Sequence, residues 1–322
     1  MTAALEVKNL STRFHMVSHT VRAVDDVSFT LGENEILAIA GESGSGKSAA
    51  ILSLLRLIPP PGEIDPESRV FFEGRDILGI GEKQMNGLRG KRISMIFQEP
   101  SASFNPLFTV GSQIAEVLRV HLGLSKAESA RRAGEALAQV RIPNAQKRVR
   151  DFPFQLSGGM LQRSMIALAL ACGPRILLAD EPTTALDPTT SLRILELLKE
   201  KTQGAGMSMI FVTHDLELLS GFADRIMVMY AGRIFESGPA GLMLERPLHP
   251  YTQDLLAAIP RPGVFKDSGR LYSIQGRVPA AGSRPSGCAY HPRCRLASPR
   301  CAQEEPDLVQ KENSFVRCRL YV

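Results

Sequence analysis

The sequence predicts an α/β fold: a mostly parallel core sheet with an antiparallel β edge, an inserted helical subdomain and a small cysteine-rich C-terminal domain. Three observations predict it. Short, wholly apolar runs at Ile36–Ala40, Ile176–Ala179 and Met209–Val212 have the length of buried strands, and segments of helical periodicity separate them. The glycine-rich stretch Gly41-Glu42-Ser43-Gly44-Ser45-Gly46-Lys47-Ser48 leaves the first run directly and opens a helical pattern, giving strand, loop and helix in order. Four of the five cysteines fall beyond residue 287, where hydrophobic periodicity fades.

The elements follow in chain order. Leu5-Glu6-Val7-Lys8-Asn9-Leu10 alternates apolar and polar residues, and Val24–Leu31 repeats the pattern, the signature of half-buried strands. A helix is predicted from Lys47 to about Leu57, stopped by Pro59-Pro60-Pro61-Gly62. After the strand Ile93–Phe97, helical periodicity at Val110–Leu122 and Lys126–Val140, broken by Pro143 and Pro153, marks a helical subdomain at about 99–165. A helix from Met160 to Ala171 precedes the strand at Ile176, and another from Thr189 to about Thr202 ends near Gly204. From Arg261 onward glycine, proline, arginine and cysteine dominate, so the domain boundary is placed near Arg261-Pro262-Gly263, giving units 1–262 and 263–322.

Composition narrows the class without naming a function. The 322 residues are 44% hydrophobic and 22% charged, which fits a folded globular chain and excludes a disordered or fibrous one. The longest apolar runs, Met165–Cys172 and Ile51–Ile58 with Arg56 inside it, fall short of the roughly 20 residues that span a bilayer. The N-terminus lacks the basic head and apolar run of a secretory signal, so a cytoplasmic location is expected. A net charge of +5 reads as an ordinary solvated surface and selects no partner.

The motifs carry the chemistry. Glycines in Gly41–Ser48 let backbone N–H groups turn toward a nucleotide's β-phosphate, Lys47 brings positive charge to the β- and γ-phosphates, and the Ser48 hydroxyl can ligate Mg²⁺. Leu156-Ser157-Gly158-Gly159-Met160 opens a helix, where free N–H groups and the helix dipole form a second phosphate site. Two phosphate sites on one chain suggest ATP held between two copies. Asp180, at the tip of the strand from Ile176, can hold Mg²⁺ through water, and Glu181 can polarise the water that attacks the γ-phosphate; the plainer alternative is that the pair caps the next helix. Gln98 and His214 also sit at strand ends, Gln98 in reach of Mg²⁺ and the attacking water and His214 of the γ-phosphate, although either alone would read as structural.

Together these residues resemble the ATP-binding cassette family, with each expected motif present in order. The resemblance implies that Gly41–Ser48 is the Walker A loop, Gln98 the Q-loop, Leu156–Met160 the signature and Asp180-Glu181 the Walker B pair. It makes Thr184-Ala185-Leu186-Asp187 the D-loop, His214 the switch histidine and Phe14 the aromatic that stacks on adenine, with a core side chain as the alternative for Phe14. It further implies that the signature Ser157-Gly158-Gly159 of one subunit closes over ATP on the Walker A of another, and that closure moves attached membrane subunits. Gln98-Glu99-Pro100 through Asn105-Pro106-Leu107, His249-Pro250-Tyr251-Thr252 and the cysteine tail resemble the ATPase subunits of bacterial dipeptide and oligopeptide importers. That resemblance implies a paralogous second ATPase in a heterodimer, two transmembrane permease subunits, an extracytoplasmic solute-binding protein and a place on the cytoplasmic face of the inner membrane. Peptide is the implied cargo, with nickel, opines, glutathione or another small solute as alternatives.

Two competing classes are weighed against it. A soluble cassette acting on nucleic acid or ribosomes generally carries two cassettes or a long coiled-coil insertion, and neither is present, so no nucleic-acid partner is expected. An iron–sulfur redox switch would place its interest in the tail instead.

Cys288, Cys294, Cys301 and Cys318 follow C-x5-C-x6-C-x16-C. Disulfides are disfavoured in a reduced compartment, and four-cysteine Zn²⁺ sites usually bring ligands in C-x2-C pairs, which are missing. A cluster tolerates irregular spacing because each cysteine ligates its own iron, and the importer resemblance points the same way, to 4Fe-4S, with Zn²⁺ kept as the alternative. His291 lies between two of the cysteines and could substitute as a ligand, the plainer reading being a solvated loop residue. Cys172 reads as a small buried hydrophobe.

Overall fold

The structure, a computed structural model, describes residues 3–184, 186–259, 272–279 and 282–322. The chain divides into two compact units, one of Met1–Ala4, Leu31–Asn34 and Gly79–Phe211, the other of Leu5–Thr30, Glu35–Leu78 and Val212–Val322.

In the first unit Ile93–Ile96 and Ile176–Asp180 run parallel, with Ile93 opposite Ile176 and Ile96 opposite Ala179, and Ser208–Thr213 lies on the far side of the second strand. The apolar runs are strands because both faces are covered: Ile176, Leu177, Leu178 and Ala179 are each fully buried. Helices Val110–Leu122, Lys126–Gln139 and Gly158–Leu170 pack on one another. Ile114, Leu118, Leu137 and Met165 face inward, the one-sided pattern their 3.6-residue spacing dictates.

Polar residues set the helix starts. Ser125 accepts from the Glu128 N–H, Ser157 from Met160 and Asp187 from Thr190, and Gly123 and Gly206 close their helices in the left-handed conformation. The helix after Asp187 runs Pro188–Ala205, a residue or more longer at each end than its periodicity indicates, because Asp187 and Gly206 fix its limits. Thr109 caps Val110–Leu122 by accepting from Ser112 N at 3.2 Å. Thr109→Ala should therefore lower stability by about 1 kcal/mol, read as a shift in denaturation midpoint. An unchanged midpoint would show the cap to be idle.

In the second unit Ile36–Ala40 runs parallel to Arg225–Tyr230, with Leu37 opposite Arg225 and Ala40 opposite Val228. Beyond it the sheet turns antiparallel: Arg225–Tyr230 pairs with Arg233–Pro239, which pairs with Ser314–Val316 and then Val309–Lys311. The N-terminal strands are not an edge of this sheet. Ala3–His15 and Thr20–Gly32 belong to a separate sheet with Arg69–Phe72 and Arg75–Asp76, and Gly62–Ile64 pairs with the first of them. Leu5 opposite Phe72 and Val7 opposite Val70 put four buried side chains on one face, which sets the register.

The division into two compact units does not set the C-terminal extension apart as the small domain that its composition suggests. Its described residues group with the second unit, and Val316 and Phe315 pair with Glu236 and Ser237 as added strands. A segment this poor in apolar residues cannot bury a core of its own, so it borrows one, placing Ala289, Tyr290 and Val316 in the interior. The expected boundary at Arg261-Pro262-Gly263 lies outside the described residues.

Candidate functional site

The phosphate loop lies between the buried strand Ile36–Ala40 and the helix Lys47–Leu54. Gly46 caps that helix at φ +103, where an added Cβ would lie 2.2 Å from the Ala23 carbonyl oxygen, so only glycine fits. Gly41 and Ser45 are buried and Ser43 and Gly44 exposed, so the loop's rim meets solvent while its base is packed. Lys47, 5% exposed, donates from Nζ to the Gly41 and Glu42 carbonyls at 2.8 and 3.0 Å. Ser48 is half-buried in the first turn. The Ser45 hydroxyl is buried with no hydrogen-bond partner among the described residues. A helix N-terminus, an ammonium and an orphaned hydroxyl on one loop suit the oxygens of a nucleotide phosphate. Phe14, half-buried near the end of Ala3–His15, lies opposite Gly62 in the strand register.

The first unit gathers its carboxylates at the end of Ile176–Asp180. Asp180 is 5% exposed, and Glu181 takes φ +44, a left-handed conformation that a glutamate adopts only when its surroundings impose it. The Thr184 hydroxyl donates to Glu181 Oε2 at 2.8 Å and Gln98 Nε2 to the same oxygen at 3.5 Å. Glu181 does not start a helix, which removes the plain capping alternative: the next helix is capped by Asp187. Residues from three separated motifs thus share one carboxylate. Ser157 and Gly158, both exposed, and half-buried Gly159 open the helix Gly158–Leu170. Asp187 is exposed, its pKa lowered by hydrogen bonds from Thr190, and Ala185 of the same motif lies outside the described residues. In the second unit His214 is exposed at the end of Ser208–Thr213.

The tail cysteines converge. Cys288, Cys294, Cys301 and Cys318 all line one cavity of about 90 Å³, together with His249 and His291. Burial pushes the Cys288 thiol up to about 11, with the neighbouring cysteines adding to the shift. Among the described residues no group of three or more His, Cys, Asp or Glu is arranged to hold a metal ion. Cys172, by contrast, is only half-buried, because the helix before it ends at Leu170.

Sequence reasoning did not find Arg293 or the use made of Tyr251. Arg293, one residue before Cys294, donates two hydrogen bonds to Glu42 in the phosphate loop, and the Tyr251 hydroxyl accepts from the Glu42 N–H. The run His249-Pro250-Tyr251-Thr252 was the available signal, but nothing in its spacing says what it touches.

Among the described residues no helix is long and apolar enough to cross a membrane. The ABC transporter family profile matches residues 24–184, and that of the oligopeptide/dipeptide transporter C-terminal region matches 235–301. The dipeptide transport ATP-binding protein DppD of Escherichia coli (strain K12) is 46% identical over 296 residues, covering 92% of this chain and 90% of that protein. A Brucella abortus (strain 2308) protein named for peptide import and ATP binding is 47% identical over 293 residues, 91% of this chain and 87% of its own. Among solved structures, the ATP-binding cassette MJ0796, a dimer in a post-hydrolysis state bound to ADP and Pi, aligns with a TM-score of 0.66 at 29% identity, covering 73% of this chain and 98% of that one.

Proposed function

Because this chain belongs to the ABC transporter family, we propose that it is the ATP-hydrolysing subunit of a bacterial importer of di- and oligopeptides, working through partner permease subunits. The observation that carries the reading is the pair of matches in one chain, a cassette over 24–184 followed by the oligopeptide/dipeptide transporter C-terminal region over 235–301. Glu181, held by Thr184 and Gln98, takes the proton of the attacking water as general base. Lys47 and the loop N–H groups from Gly41 to Ser48 bind the β- and γ-phosphates, and His214 orients the γ-phosphate. Phe14 stacks on adenine. Ser48, Gln98 and Asp180 would hold Mg²⁺, which would supply positive charge beside the phosphate oxygens. Ser157, Gly158 and Gly159 of a second ATPase subunit, with Asp187 beside them, close the site from the other side.

That second subunit is a paralogue in a heterodimer, and the assembly sits on the cytoplasmic face of the inner membrane with two permease subunits and a solute-binding protein. The deciding experiment reconstitutes the assembly in liposomes and measures ATP-dependent uptake of labelled dipeptide against nickel and glutathione. Dipeptide uptake supports the reading. Uptake of nickel or glutathione alone would overturn it.

Residues 263–322 form the extension whose four cysteines bind a 4Fe-4S cluster, supported by their convergence on one cavity. Anaerobically purified protein should carry about four irons and four sulfides per chain, and Cys301→Ser should lose most of both while ATP binding persists. Stoichiometric zinc without sulfide would refute the cluster.

A further inference from the structure

Arg293 lies at the end of the short turn His291–Arg293, whose backbone is tied to Cys288 and Cys294 on either side. From there it reaches the phosphate loop. Its two terminal nitrogens donate to the two oxygens of Glu42 at 2.7 and 2.9 Å, the forked geometry in which a guanidinium best matches a carboxylate. The Arg293 side chain is 6% exposed and that of Glu42 is 27%, so the pair is partly shielded from water. Four further contacts fix the guanidinium: Nε donates to the Gln275 carbonyl, Nη1 to the Tyr230 hydroxyl, and the group lies 5.8 Å from the ring centres of Tyr230 and Tyr290. Burial works against the charge on Arg293, but the bonds to Glu42 and Tyr230 outweigh it and raise its pKa.

Glu42 is gripped at the backbone too. Its N–H donates to the hydroxyl of fully buried Tyr251 at 2.9 Å, while its carbonyl accepts from Ser45 N and from Lys47 Nζ. Tyr251 packs against Tyr230 and Tyr290, so both grips on Glu42 issue from one buried aromatic cluster that the tail completes. Glu42 also carries a negative charge in a loop built to receive a polyphosphate. Left unpaired, that charge would oppose the ligand.

We infer that Arg293 and Tyr251 are positioning residues for the nucleotide: they hold the phosphate loop by Glu42, and Arg293 cancels the carboxylate that would otherwise repel the triphosphate. Neither side chain touches the reacting atoms. Their removal weakens ATP binding equally in the ground and transition states, so KM rises and kcat stays. The inference rests on the contacts with Glu42 and is independent of what fills the cysteine cavity.

The test is steady-state ATPase kinetics on the assembled transporter. Arg293→Gln should raise KM for ATP about tenfold with kcat within twofold, a loss of about 1.4 kcal/mol of binding. Adding Glu42→Gln to it removes the exposed carboxylate and should bring KM back to within about threefold of the parent, a rescue that a merely structural role would not produce. Tyr251→Phe keeps the packed ring and loses only the acceptor, so it should raise KM about threefold at unchanged kcat, and it decides the matter should Arg293→Gln not fold. The inference is overturned if folded Arg293→Gln keeps its KM, if Glu42→Gln fails to rescue it, or if Tyr251→Phe leaves KM unchanged.

Discussion

Glu181→Gln should lower kcat for ATP hydrolysis by about 10²–10⁴-fold while ATP affinity stays within about threefold. The amide keeps the shape of the side chain and can still accept from the Thr184 hydroxyl, which lies 2.8 Å from Oε2, so the site's packing survives. What is lost is a group able to take a proton from water. The backbone adds to the expectation, because Glu181 is held at φ +44, and a strained position is retained where the side chain's direction matters. Hydrolysis-deficient protein should also accumulate as the ATP-bound closed dimer, visible by size-exclusion chromatography with ATP present. Hydrolysis at the parent rate would remove Glu181 from the general-base role.

Gly46→Ala should abolish ATP binding and destabilise the fold by about 3 kcal/mol or more. The Cβ would lie 2.2 Å from the Ala23 carbonyl oxygen and 3.3 Å from Gly232 Cα, both backbone atoms that cannot swing aside, and φ +103 is hostile to any side chain. Relief requires moving the helix Lys47–Leu54 at its first turn, where Lys47 and Ser48 take their direction. Gly44→Ala is the control. Gly44 also has φ +82, but its Cβ would meet nothing within 4 Å, so that change should cost about 1–2 kcal/mol and leave a protein that still binds ATP. Melting temperature and binding of a fluorescent ATP analogue separate the two. Equal losses in both variants would mean that conformational strain, and not the close approach to Ala23, makes the loop intolerant.

The parts of this protein legible in the sequence are those whose chemistry is local. A wholly apolar run followed by glycines, lysine and serine dictates strand, loop and helix because the backbone needs of a phosphate-binding turn are met by consecutive residues. The motif Leu156–Met160 announced its helix for the same reason: its Ser157 caps an N–H three residues away. The family followed from the order of such short motifs, and the comparisons agree with it.

The placement of the N-terminal strands was not legible, since alternation at Leu5–Leu10 says that one face is buried but not which sheet it joins. The docking of the tail was not legible either, because its composition shows that it cannot fold alone and is silent on where it packs. Strand pairing such as Val316 with Glu236 is made between residues far apart in the chain, and only the folded chain chooses it. The same holds for the link from Arg293 to Glu42, residues separated by 251 positions. Sequence by itself therefore determined the nucleotide chemistry, which is written in contiguous residues. Tertiary structure alone decided that the cysteine tail lines one cavity and grips the phosphate loop, because an ion pair carries no periodicity and becomes visible only when the fold sets both partners side by side.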